Sequence, residues 1–217
     1  MFEMLLNPKR AERKPWELLL VGFLYAGLSL LFANWIFASS PVFSKHISIL
    51  VITFTVMFSL PFFYFLVKLE ESKSYENGNL ISRHGKAISA LMWLFFGFVL
   101  AFSFWYIILP TTETSGEQLE TFCRINRPDG VEQCVAQYGT KDAGTTVFAT
   151  NKERIFLIFV NNIYVLLFTL IFSLLFGAGV IFILAWNASV IAAAISIFTK
   201  SDLSALPLAL VRYFVHG

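Results

Sequence analysis

The chain has 217 residues, of which 57% are hydrophobic and 14% charged, with a formal net charge of +2 and a mean hydropathy of +0.71. A soluble globular domain is about 45–50% apolar, so this composition excludes one and points to an integral membrane protein. The small positive excess is spread over loops and makes no field for nucleic acid, which is not expected as a partner.

Met1–Pro15 is short and basic, with Lys9, Arg10, Arg13 and Lys14 just ahead of the first apolar run. By the positive-inside rule this end is cytoplasmic. Trp16–Ala38 is longer than the apolar part of a signal peptide, about 7–15 residues, and reads as the first span, 16–38. Gly22, Ala26, Ser29 and Ala33 share one face of it at helical spacing. Such a seam of small residues lets a neighbouring helix approach closely. The second span, 47–67, carries Thr55, Ser59 and Pro61. The proline lacks a backbone donor, so a kink is expected, with freed carbonyls satisfied by neighbours or by Ser and Thr hydroxyls.

Lys68–Lys86 is polar and turn-rich around Asn77-Gly78-Asn79. Two crossings place this loop, 68–86, on the cytoplasmic side with the N-terminus. The third span, 88–109, again has small residues on one face at Ala90, Gly97 and Ala101. Trp105 and Tyr106 near its far end suit an interfacial aromatic belt.

The next segment, 110–154, is extracytoplasmic by the crossing count and carries an acidic excess. It holds Cys123 and Cys134, which bracket the turn sequence Asn126-Arg127-Pro128-Asp129-Gly130. In an oxidising compartment the pair reads as a disulfide stapling a hairpin, contributing about 2–3 kcal/mol by the chain-entropy estimate. Two free thiols are the alternative. Two ligands without a nearby His make a poor metal site, and no metal or cofactor is expected.

Ile155–Thr199 contains no Asp, Glu, Lys, Arg or His. As one helix it would extend roughly 67 Å, twice the hydrocarbon thickness of a bilayer, so it must fold back. Gly177 and Gly179 permit the turn, which gives two spans, 155–176 and 179–199. Asn162, Thr169, Ser173 and Gly177 form a polar and small stripe on the first arm, with Asn161 beside it. On the second arm Ala185, Ser189, Ala192 or Ala193 and Ser196 form another, with Asn187 close by. Facing stripes would bury the asparagines between helices; the other reading is that Asn161, Asn162 and Asn187 line a polar cavity or bind a partner's helix. Asn187-Ala188-Ser189 matches a glycosylation sequon, but its place inside a span argues against modification. Lys200-Ser201-Asp202 ends the apolar run, and 203–217, with Pro207 inside it, is a half-length apolar segment read as re-entrant, surface or a truncated last helix.

The expected fold is all-α: a polytopic transmembrane helical bundle of five spans plus the C-terminal half-length segment, with one extramembrane loop. The chain lacks a Gly-rich phosphate loop and a metallopeptidase His-Glu pair, and no acidic residue lies within a span. His46, His84 and His216 are scattered over loops or ends. No enzyme is expected.

Phe159-Val160-Asn161-Asn162-Ile163, the turn Gly177-Ala178-Gly179, the Asn187 region and the terminal Val211-Arg212-Tyr213-Phe214-Val215-His216-Gly217 resemble the stage II sporulation protein M family, especially its archaeal members. Gly177, Gly179, His216 and Gly217 carry the family-like pattern. Two departures stand out: Ala188 replaces the glycine that usually follows the asparagine, and the family's Glu and last helix do not follow Gly217 here. The resemblance implies a multi-pass membrane protein without known catalytic activity. Bacterial relatives act as a scaffold or anchor beside peptidoglycan-degrading partners during engulfment. The expected function is therefore a scaffold or anchor in the cell membrane, embedded in the lipid bilayer and holding other membrane proteins or further copies of itself. The alternative is a permease or channel component whose asparagine hairpin lines a solute path.

Overall fold

The computed structural model describes residues 8–37, 39–40, 43, 46–72, 80–109, 115–126, 130–139 and 179–216, and side chains of the last stretch as far as residue 199. Among the described residues there are helices and no strands: α1 (Pro8–Arg13), α2 (Glu17–Phe37), α3 (Ile47–Ser72), α4 (Leu80–Ile108), α5 (Gly116–Asn126), α6 (Val131–Gly139) and α7 (Gly179–His216). Four of these are long and apolar enough to cross a bilayer: Glu17–Phe37, Ile47–Ser72, His84–Ile108 and Gly179–Ile197. The expected fourth span, 155–176, lies outside the described residues.

Hydropathy marks where the chain is apolar, whereas hydrogen bonding decides where a helix ends. Accordingly α3 runs on past Val67 to Ser72 and α4 begins at Leu80, before the apolar run opens. The same distinction governs α7. Lys200-Ser201-Asp202 interrupts the apolar run but not the helix, which continues through the half-length segment to His216. Pro61 likewise does not break α3, and it sits on the exposed face. Nearby hydroxyls bond earlier carbonyls than the one it frees: Thr55 Oγ1 donates to the Val51 carbonyl (2.8 Å) and Ser59 Oγ to that of Thr55 (2.7 Å).

The four long helices form a ring. α4 packs most extensively on α2 and then on α7, and α3 closes the ring against α2 and α7. α3 and α4 face each other across the diagonal with little contact. The two ends are distinguishable. At one, the basic end, lie α1, the start of α2, the end of α3 and the start of α4, where Glu17 in the first turn of α2 pairs with Arg10 (3.5 Å) and Lys14 (3.8 Å). At the other, the hairpin end, α5 and α6 pack over the start of α3 and over α7 near Ile197.

Side chains are sorted as a lipid solvent requires. Outward positions carry large apolar groups such as Leu24, Leu28, Phe32 and Trp35 of α2 and Trp93, Phe96, Leu100 and Phe104 of α4. Inward positions are small. Gly22, Ala26, Ser29 and Ala33 of α2 are all buried, as are Ala90, Gly97 and Ala101 of α4. Lipid tails are as apolar as leucine, so no hydrophobic force drives these helices together, and close packing must do so. The α2–α4 crossing shows how close. A Cβ added to Gly22 would stand 2.5 Å from the Leu94 carbonyl oxygen, and one on Gly97 would stand 2.9 Å from the Phe23 amide nitrogen and overlap the Leu19 carbonyl oxygen. Only hydrogen fits at either position.

Candidate functional site

The hairpin end is built by two helices too short to persist alone, since isolated helices under about 12–15 residues are marginal in water. Ser115-Gly116-Glu117-Gln118 has the spacing of a capping box, and Glu117 adds a negative charge to the first turn of α5. Cys123 and Cys134 are disulfide-bonded with Cα atoms 5.7 Å apart, tying α5 to α6. Leu119, Phe122 and Tyr138 close around the bond, Phe122 and Tyr138 meeting edge to face at 6.4 Å. Ile197 and Ala194 of α7 complete this second core. The described part of this segment, residues 115–126 and 130–139, is therefore a stapled helix pair seated on the ends of the long helices.

Gln118 ties the seat to α3 by donating from Nε2 to the Ser48 carbonyl at 3.5 Å. Among the described residues its Oε1 is buried without a hydrogen-bond partner, as are the hydroxyls of Ser103 and Tyr106 on α4. Tyr106 is 0% exposed, stacked on Phe102 with centroids 5.8 Å apart. This corrects the expectation of an aromatic belt. Consecutive helix residues differ by about 100°, so Trp105 and Tyr106 cannot share a face. Trp105 is half-buried, and Tyr106 turns into the bundle. A buried hydroxyl without a partner costs about 1–3 kcal/mol. Tyr106→Phe keeps the ring and the stack, so the variant should be more stable by about that amount in thermal unfolding of the detergent-solubilised chain. A lower melting temperature would show that the hydroxyl has a partner.

Of the intramembrane polar residues expected to form a site, only Asn187 falls on described chain. Asn161, Asn162, Thr169, Ser173 and Gly177 lie outside it, as does Gly217; Gly179 opens α7 and His216 ends it. Asn187 is half-buried and donates from Nδ2 to the Ile183 carbonyl of its own helix at 2.9 Å. The first arm, against which it was expected to be buried, lies outside the described residues. The stripe beside Asn187, made of Ala185, Ser189, Ala192, Ala193 and Ser196, is buried, and so is Ala188. Within the described residues it faces α4 and α3, the helices α7 packs on. Its hydroxyls also turn back on α7, Ser189 Oγ donating to the Trp186 carbonyl (2.7 Å) and Ser196 Oγ to that of Ala193 (2.8 Å).

At the basic end the diagonal arrangement leaves an open cleft of about 640 Å³ between α3 and α4, lined by Phe63, Leu66, Val67, Ala87 and Leu91 below and Glu70, Glu71 and His84 above. His84 Nδ1 and Glu70 Oε2 are hydrogen-bonded across it, joining the two helices. The sequence showed His84 only as one of three scattered histidines, with no sign of its pairing with Glu70, because the two are fourteen positions apart in a polar stretch and nothing local links them. Among the described residues no group of three or more His, Cys, Asp or Glu side chains is arranged to hold a metal ion.

The family model for stage II sporulation protein M matches residues 89–217, more than half of the chain. No curated protein and no solved structure matches it. The matched part begins within α4 and takes in the stapled hairpin and the whole of α7, reaching well before the Asn161 region that first suggested the relationship. Both ends of the match fall on elements that pack against one another, α4 and α7. With its apolar helices, buried small-residue seams and this match, the chain belongs to the stage II sporulation protein M family.

Proposed function

We propose that the protein is a scaffold or anchor in a membrane complex, without catalysis of its own, which holds other membrane proteins or further copies of itself. The observation that carries this reading is the filled interior. Buried Ser29, Thr55, Ser59, Ser189 and Ser196 each donate to a carbonyl of their own helix, as does half-buried Asn187. Polar side chains that bond their own backbone leave little to line a solute path, and the close α2–α4 crossing leaves no room for one between those two helices. In this proposal the basic end is cytoplasmic and the disulfide hairpin extracytoplasmic, in keeping with the positive-inside rule and with an oxidising compartment. A fifth span belongs to the same proposal: the described chain stops at Gly139 at the hairpin end and resumes at Gly179, about 27 Å along α7 from Ile197, so an odd number of crossings between them fits.

A permease or channel component is the other reading, and accessibility separates the two. Ala188→Cys and Ala192→Cys, introduced with the native disulfide left intact, are expected to stay unlabelled by a membrane-impermeant maleimide in native membranes. Labelling of both in the folded chain would replace the scaffold with a water-filled conduit.

A further inference from the structure

We propose that the cleft between α3 and α4 at the basic end holds one aminophospholipid, its primary ammonium beside Glu71 and Glu70 and its upper acyl carbons along Phe63, Leu66 and Leu91. The cleft exists because α3 and α4 are diagonal neighbours with little direct contact. Its volume of about 640 Å³ falls in the range of about 300–1,000 Å³ typical of small-molecule sites, room for a headgroup, a glycerol and the first acyl carbons. Its two halves match the two halves of such a lipid. Phe63, Leu66, Val67 and Leu91 lie deeper in the candidate spans Ile47–Ser72 and His84–Ile108, whereas Glu70, Glu71 and His84 stand at their ends. On α3 the change from Phe63 to Glu70 takes two turns, about 10 Å, enough to pass from the acyl region into the headgroup region of about 5–8 Å on one side of a bilayer.

Charge selects among headgroups. Two carboxylates, one of them held in place by His84, disfavour a purely anionic lipid and accept hydrogen bonds from a primary ammonium. A choline headgroup has no N–H to donate. Val67 is 37% exposed and Glu71 is exposed, so both can be changed without opening the core.

Native mass spectrometry tests this on the full chain, delipidated in detergent and then exposed to equal amounts of phosphatidylethanolamine, phosphatidylcholine and phosphatidylglycerol. Wild type should retain one phosphatidylethanolamine in preference to the others. Glu71→Gln should reduce that preference about tenfold, the value of one charge-assisted hydrogen bond. Val67→Trp should crowd the apolar half of the cleft and weaken retention. Circular dichroism and an intact disulfide in each variant confirm folding. Equal retention of the three lipids, a preference for phosphatidylglycerol, or ethanolamine retention unchanged in both variants would overturn the proposal.

Discussion

Gly97→Ala is expected to destabilise the folded chain by about 1–3 kcal/mol, the usual cost of forcing a methyl group into a packed interior, and Gly97→Val by more. The added Cβ meets backbone on the partner helix: the Leu19 carbonyl oxygen, the Phe23 nitrogen at 2.9 Å and the Gly22 Cα at 3.0 Å. Backbone cannot turn aside as a side-chain tip can, so α2 and α4 must separate along their crossing. Separation also pulls Ala26, Ser29 and Ala33 from Ala90, Leu94 and Ala101, residues that share one buried core. In a bilayer those contacts have no hydrophobic substitute, because lipid covers the exposed faces equally well. The reference variant is Gly85→Ala in the same helix, where an added Cβ has nothing within 4 Å. Helix propensity alone should make that change favourable by up to about 1 kcal/mol. Thermal unfolding of both variants in one detergent gives the comparison, and equal melting temperatures would refute the close-crossing account.

That crossing was legible in the sequence, and the reason is periodicity. Gly22, Ala26, Ser29 and Ala33 declare a face by spacing alone, as Ala90, Gly97 and Ala101 do. Spacing shows that a face is small; it does not show which partner it meets: within the described residues the α7 stripe packs on α4 and α3, while the first arm, 155–176, with which it was paired lies outside them. Helix ends were legible only where polarity and hydrogen bonding change together. At Lys200 they do not, and α7 continues. The cysteine pair could be read because turn residues lie between two thiols, yet the same residues do not distinguish a strand hairpin from the helix pair found. His84–Glu70 and the orphaned hydroxyl of Tyr106 depend on which helices are diagonal and which faces turn inward. Those are properties of the assembled bundle and have no local signature. The asparagines of the first arm, Asn161 and Asn162, fall outside the described residues, so the site first suggested by them rests on Asn187 alone.

Removing the disulfide should release the hairpin while leaving the spans folded. α5 has 11 residues and α6 has 9, each below the length at which a helix holds in water. Their order therefore depends on the bond and on the seat over α7. The bond closes a loop with a sequence separation of 11, for which chain entropy gives about 2–3 kcal/mol. Both cysteines are 0% exposed, so serine would add the separate cost of a buried hydroxyl; Cys123→Ala with Cys134→Ala removes the link without it. Among the described residues the seat is modest, Ile197 and Ala194 of α7 meeting the hairpin's apolar side. The surface pairs add little: Arg124–Glu120 is a helical neighbour pair on the exposed face, and His46–Glu117 at 3.8 Å is largely solvated. Without the bond, residues 116–139 should lose most of their amide protection in hydrogen exchange, and protease should cut there first. Protection in α2 and α4 should stay unchanged, because neither helix packs extensively on the hairpin. Leu119→Ala with the bond intact should cost about 2–5 kcal/mol of local stability and expose the same segment, since Leu119 is fully buried between α5, α6 and α7. Unaltered protection of 116–139 in the double alanine variant would mean that the seat on the spans, and not the disulfide, holds the module in place.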